Sequence, residues 1–243
     1  MTANLTKDVT MRYADLAPQT SSGAVPVLLL HGFGSTFDMN WGAAGWPRVL
    51  ETAGRRVIGP DLRGHGSSDK PTESELYLPE HFVSDLVALL DELGVESVDV
   101  VGYSMGARLA WALALAAPAR VRRLVLGGFG PTDLLAGVGE STPGEGDGPF
   151  DQVFNTVAAL PGNDPEALAA CARGQAARPF TRTPHPAGIP TLLVAGAKDA
   201  LAAGAEGLAA DCGGTFVEIP GRDHVNAVSS RIFKQVVLDF LQD

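Results

Sequence analysis

Short apolar runs recur along the chain, and between them apolar residues return every three or four positions. The runs are Val25 to Leu30, Arg56 to Pro60, Ser97 to Tyr103, Val121 to Leu126, Ile189 to Ala195 and Thr215 to Ile219. Brief, continuous and bounded by Gly, Pro or charge, they read as strands buried on both faces of a parallel sheet. The intervening segments carry a helical period. Pro79 to Leu93 opens on Pro-Glu, places Phe82, Leu86, Leu89, Leu90 and Leu93 on one stripe, and stops at Gly94. Met105 to Ala117 is rich in Ala and Leu and stops at Pro118, and Ser229 to Leu241 repeats Ile232, Val236, Val237 and Phe240. Strands alternating with helices predict an α/β fold, a mostly parallel central sheet flanked by helices. Before Val25 only Val9 to Ala14 reads as a strand, so the start of the sheet is expected to be reduced.

The alternation lapses once. No strand pattern occurs from Gly130 to Pro186. Gly137 to Pro149 is rich in Gly, Pro and acids and predicts a mobile loop, followed by helices over Phe150 to Leu160 and Pro165 to Ala177. The organisation expected is a core over residues 1–130, a small helical cap insertion over 131–187, and the rest of the core over 188–243. An ordinary long crossover carrying its own helices is the alternative.

With 243 residues and 45% hydrophobic content, the chain can bury one large core. The formal net charge of −10 argues against nucleic acid or an anionic membrane surface as partner. Cys171 and Cys212, the only two cysteines, show no metal-ligand spacing and read as free thiols. Met1 to Tyr13 lacks an apolar leader, and no apolar stretch is long enough to span a bilayer. A cytoplasmic protein without metal or cofactor is expected. Its partner would be a small ester-like molecule, and its oligomeric state is left open.

Gly102-Tyr103-Ser104-Met105-Gly106 follows a predicted strand and opens a predicted helix, the setting that makes G-x-S-x-G informative. A nucleophile on so sharp a turn sits on strained backbone, and glycines on either side relieve crowding. The plain alternative is a serine capping a helix. Of five histidines, the chain order nucleophile, acid, base leaves His185 and His224, which follow Ser104, as possible bases. His185 is wedged between prolines, whereas His224 follows the Thr215 to Ile219 strand at its carboxyl end, where catalysis gathers in open α/β sheets. Asp199, after the Ile189 to Ala195 strand, is the acid that would orient His224; Asp223 and Asp211 are its rivals. The oxyanion donors expected are the backbone N–H groups of Met105 and of Phe33, in the His31-Gly32-Phe33-Gly34 loop.

These motifs, with Asp61-Leu62-Arg63-Gly64-His65-Gly66-Ser67-Ser68 between them, resemble the α/β-hydrolase family, in this order and over nearly the whole chain. The resemblance implies that fold, a Ser104–Asp199–His224 triad, and a structural role for the glycine turn, with His65 a structural histidine. Haloalkane dehalogenases and epoxide hydrolases of this fold use an aspartate where Ser104 stands. Serine implies acyl transfer through an acyl-enzyme instead. Arg108, one helical turn past Ser104, matches an arginine that binds a carboxylate in the pyruvate-eliminating synthase of the menaquinone pathway; a salt bridge to a neighbouring segment is the alternative.

The reading that follows is a serine carboxylesterase or lactonase. A carbon–carbon bond hydrolase or a pyruvate-eliminating synthase with the same triad is the alternative. A ligand receptor built on a hydrolase fold is the alternative of another class. The pocket wall is expected from Phe33, Trp41, Trp46, Phe129, Phe150, Phe154 and Phe180, with Arg108 as a further substrate contact.

Overall fold

A computed structural model describes residues 1–6, 9–18, 20, 23–140 and 142–242. Among them, eight strands form one sheet in the order β1-β2-β4-β3-β5-β6-β7-β8. The strands are β1 (Thr2–Thr6), β2 (Val9–Leu16), β3 (Val27–Leu30), β4 (Val57–Pro60), β5 (Val98–Tyr103), β6 (Val121–Gly127), β7 (Thr191–Gly196) and β8 (Thr215–Ile219). From β4 onward across the sheet every pairing is parallel, while β1–β2 and β2–β4 are antiparallel. Strands β3, β4, β5 and β7 are buried at every position, as the continuous apolar runs require of strands covered on both faces.

Two helical layers provide that cover. The helices are α1 (Trp46–Thr52), α2 (Pro79–Glu92), α3 (Met105–Ala116), α4 (Pro149–Ala158), α5 (Pro165–Ala176), α6 (Ala205–Asp211) and α7 (Arg231–Leu241). Leu28, Leu30, Val98 and Val100 turn toward residues of α2, α3 and α6, while Val27, Leu29 and Val101 turn toward α1 and α7. The alternation along each strand thus divides its apolar residues between two cores. At the amino end of the parallel strands the buried Asp99 carboxylate accepts from Arg55 and Arg122. Arg55 also donates to Leu241 O at 2.9 Å, tying the end of α7 to the sheet.

The beginning of the chain corrects the expectation of a reduced edge. Thr2 pairs with Arg12, Ala3 with Met11 and Asn4 with Thr10, so two paired antiparallel strands precede β3. Strand β1 has no apolar run to announce it. It exists because backbone pairing to β2 satisfies its polar groups and because Ala3 reaches the core. Among the described residues, no helix is long and apolar enough to cross a membrane.

Between β6 and β7 the described chain contains no strand, and α4 and α5 lie over the sheet's carboxyl edge with their own small core of Leu135, Val138, Phe150, Phe154, Leu168 and Ala172. Part of the glycine-rich stretch expected to be loose is stitched to α4. Gly144 N donates to Asp151 Oδ1 at 2.8 Å, and Asn155 Nδ2 donates to Gly144 O at 3.0 Å. Helix α5 settles against the Ser74–Tyr77 turn so closely that a Cβ at Gly174 would stand 2.2 Å from Ser74 O.

Candidate active site

Ser104 occupies the turn between β5 and α3 with φ 54° and ψ −116°, and among the described residues it is the one non-glycine with positive φ. Such a conformation costs roughly 1–3 kcal/mol and persists only where packing enforces it. The glycines on either side show how. A Cβ at Gly102 would lie 2.3 Å from Gly106 O, and one at Gly106 would lie 2.1 Å from Leu30 O. Strand and helix therefore cross at backbone contact. Gly106→Ala is expected to lower stability by about 3 kcal/mol or to shift the turn, which a thermal melt with an activity assay would detect; an unchanged Tm would contradict this close approach.

The loop between β8 and α7 carries His224. Its Nδ1 lies 3.0 and 2.9 Å from the two oxygens of Asp199, whose side chain is fully buried. Asp199 also accepts from the Leu201 and Ala202 amides at 3.1 and 3.2 Å, which aims its carboxylate. A carboxylate beside Nδ1 assigns the proton there and leaves Nε2 free to accept one. The loops that carry Asp199 and His224 are zipped together by Lys198 N donating to Arg222 O at 2.8 Å and Ala197 N to Ile219 O at 3.0 Å. The Tyr103 hydroxyl donates to His224 O at 2.8 Å, so the residue before Ser104 holds the His224 loop as well. Ser104 and His224 face one cavity, with no hydrogen bond between their side chains among the described residues.

The rival acids are occupied elsewhere. Asp223 accepts from Val225 N and Asn226 N within its own turn, and Asp211 pairs with Arg182 at 3.1 Å. His185 is exposed in a loop and does not line the cavity.

Met105 is the first residue of α3, so its N–H has no partner within the helix and lies beside Ser104. Phe33 lies opposite, in the loop after β3, and among the described residues neither amide donates to another protein group. That loop is braced by Asn40 on the cavity wall and by His31 in the core. Gly32 N donates to Asn40 Oδ1 at 3.1 Å, and the His31 ring bridges Gly32 O at 2.8 Å and Leu62 N at 2.9 Å. Leu62 N donates to Nε2, so His31 is neutral with its proton on Nδ1. Burial lowers its pKa to about 4, against a weaker opposing pull from the Gly32 carbonyl. His65, fully buried 5.2 Å from the His31 ring, is lowered to about 3 by burial and then by that neighbour. Neither ring lines the cavity.

The cavity has a volume of about 680 Å³. Phe33, Phe129, Phe150 and Phe180 line it as the sequence predicts. Trp41 and Trp46 do not. Both are completely buried behind the site, edge to face at 5.3 Å, with Trp46 also packed on Phe233. Their large apolar surfaces join the core beneath α1 and α7 rather than the pocket. Phe154 forms a second layer, its ring 6.3 Å from those of Phe33 and Phe150. Leu135, Val153 and Val157 line the cavity instead, positions that the apolar pattern alone did not separate from the core.

Arg108 reaches the cavity wall, but its guanidinium is engaged. Nη1 meets Asp133 Oδ1 at 2.8 Å, and Nη2 donates to Gln175 O at 3.1 Å and to Arg178 O at 2.5 Å. Asp133 in turn accepts from Phe180 N at 2.8 Å and Leu135 N at 3.1 Å. The pair is a strut between α3 and the segment over the sheet, the salt-bridge alternative that the sequence left open, while Arg108 also lines the cavity. Among the described residues, no cluster of three or more His, Cys, Asp or Glu side chains is arranged to hold a metal ion.

A model of the alpha/beta hydrolase fold matches residues 25–169. An epoxide hydrolase 3 of Siraitia grosvenorii is 43% identical over 109 residues, 43% of this chain and 33% of that protein. A 2-hydroxymuconate semialdehyde hydrolase of Pseudomonas putida is 44% identical over 103 residues, 42% of this chain and 36% of that protein. The chain thus spans about a third of the length of the curated relatives it matches. Among solved structures, a thermophilic esterase from Thermogutta terrifontis superposes with a TM-score of 0.76 at 26% identity, covering 99% of this chain and 96% of that one. An enol-lactonase from Burkholderia xenovorans does so with a TM-score of 0.81 at 21% identity over the full length of both.

Proposed function

The chain belongs to the alpha/beta hydrolase fold family, and from that premise we propose that it hydrolyses uncharged carboxylic esters or lactones of small to medium size through an acyl-enzyme on Ser104. Ser104 Oγ attacks the ester carbonyl as His224 Nε2 takes the hydroxyl proton, and Asp199 stabilises the resulting imidazolium. The carbonyl π pair moves onto oxygen, where the Phe33 and Met105 amides receive it. Collapse expels the alcohol, which takes the proton from His224. Water, deprotonated by His224, then attacks the acyl-enzyme, and collapse breaks the bond to Ser104 Oγ, which takes the proton back from His224 as the acid is released.

The nucleophile separates this reading from that of the relatives named epoxide hydrolases. Opening an epoxide with a carboxylate yields an ester that water can cleave. Opening it with a serine would yield an ether, with no comparable exit. The charge of the cavity wall separates it from the second reading, a carbon–carbon bond hydrolase. The muconate semialdehyde named for one relative is an anion. Arg108, the one cation among the lining residues described, is already neutralised by Asp133. Burial lowers the Arg108 pKa from its ordinary value, with Asp133 opposing that shift, so the strut presents a cation matched by its own carboxylate.

The carrying observation is a strained serine facing the same cavity as an aspartate-anchored histidine. The test is a series of p-nitrophenyl alkanoates of graded length beside p-nitrophenyl hemisuccinate and hemiglutarate. Neutral esters should exceed the hemiesters in kcat/KM by at least about tenfold, since an unpaired carboxylate is costly to desolvate. Asp133→Asn should narrow that gap. A wild-type preference for the anionic substrates would overturn the uncharged-substrate reading, and failure to turn over any ester would overturn ester hydrolysis.

A further inference from the structure

The turn between α4 and α5 touches the oxyanion loop directly. Asn163 Nδ2 donates to Gly34 O at 2.7 Å and to Val157 O at 2.9 Å, so both hydrogens of one amide nitrogen join the loop after β3 to the end of α4. Gly34 has φ +66°, and a Cβ there would lie 2.4 Å from the Val157 side chain, so α4 rests on the loop backbone itself. The Phe33 ring packs on Phe150 at 5.4 Å from the same side. Phe33, whose amide is the outer oxyanion donor in the reading above, is therefore anchored on both sides. Asn40 on the cavity wall grips Gly32 N, the buried His31 ring holds Gly32 O, and Asn163 grips Gly34 from the helical segment above.

Resting on the ester-hydrolysis reading, we infer that Asn163 is a positioning residue that fixes the direction of the Phe33 N–H, so that the α4–α5 segment completes the oxyanion hole as well as walling the cavity. Asn163 touches no reacting atom. Its contribution lies in the orientation of a donor whose value depends on pointing at the tetrahedral oxygen rather than at the ground-state carbonyl.

A pair of ketones separates this role from simple packing. An alkyl trifluoromethyl ketone accepts Ser104 Oγ to form a hemiketal. The new C–O bond is made, the carbonyl π pair becomes an oxyanion in the hole, and the hydroxyl proton passes to His224 Nε2. The matching methyl ketone binds the same pocket largely without addition. Wild type should bind the trifluoromethyl ketone about 10²-fold tighter or more, as transition-state analogues do. Asn163→Ala should shrink that ratio about tenfold, a fraction of the 10²–10³ loss seen when an oxyanion donor is removed outright. In Asn163→Ala, kcat should fall while KM for p-nitrophenyl butyrate changes little. Asn163→Asp, of the same size but without the donor, should behave alike. The half-buried turn position leaves both variants able to fold, which Tm verifies.

An unchanged ratio in both variants, or equal weakening of both ketones, would overturn the inference while leaving the ester reading intact. If wild type binds the two ketones equally and Ser104→Ala changes neither, the ester reading fails and this inference with it.

Discussion

Ser104→Ala is expected to reduce turnover of p-nitrophenyl butyrate on the order of 10⁵-fold, and labelling by a fluorophosphonate probe should disappear. Removing a nucleophile that works as a unit with its base costs nearly as much as removing the whole constellation, and what survives comes from binding and oxyanion donors. Backbone strain supplies an internal control. The serine sits at φ 54° and ψ −116°, a conformation alanine tolerates no better and glycine adopts without penalty. Ser104→Gly should therefore lose the same activity yet gain stability, by about 1 kcal/mol at the lower end of the strain range. Steady-state assays, intact-mass labelling and thermal melts read all three quantities. Activity within tenfold of wild type in either variant would remove Ser104 from the chemistry. An unaltered Tm in the glycine variant would mean that the turn stores no strain.

Stability is expected to fall steeply as the solution is acidified below pH 6.5. His31 and His65 are fully buried, with pKa values lowered to about 4 and about 3. Above pH 6.5 both are neutral in folded and unfolded chains alike, so they impose no difference. Between pH 6.5 and about 4 the unfolded chain binds protons that the folded one refuses, and unfolding gains up to ~1.4 kcal/mol per pH unit for each ring. The His31 contribution levels off near pH 4 and that of His65 near pH 3, with full differences of ~3 and ~5 kcal/mol respectively. Those amounts rival the whole stability of an ordinary domain. Urea titrations at pH 7, 6, 5 and 4.5 should give a falling ΔG with a slope approaching two protons taken up per molecule. His65→Leu should halve that slope, because it removes one of the two rings and the repulsion between them. A flat profile from pH 7 to pH 5 would show that these rings accept protons in place.

Much of the chemistry was legible because it is written in adjacent residues. The Gly102 to Gly106 turn combines a strand end, a helix start and two glycines whose missing Cβ atoms would collide with Gly106 O and Leu30 O. The apolar runs located six of the eight strands, since a strand covered on both faces leaves few positions that can be polar. Strand β1 escaped because its stability comes from pairing with β2, and pairing leaves no mark on side-chain polarity. Trp41 was misjudged for a related reason. An aromatic residue near a motif serves a core as readily as a pocket, and the direction of its side chain depends on Tyr103 and α7, which arrive from elsewhere in the chain.

The longest-range contacts are the ones no local pattern contained. Arg108 is one turn from Ser104, yet its meaning is set by Asp133, Gln175 and Arg178, which converge only when the segment over the sheet folds down. The same holds for Asn163 on Gly34, a bond between residues 129 positions apart. Local sequence determined the alternation of strands and helices and nominated Ser104, His224 and Asp199 for the proposed chemistry, because periodicity, turns and motif spacing act over a few residues. Tertiary packing alone decided which aromatic rings face the cavity, that Arg108 on its wall is paired with Asp133, and what braces the loop after β3, because those depend on surfaces that meet only after the sheet is assembled.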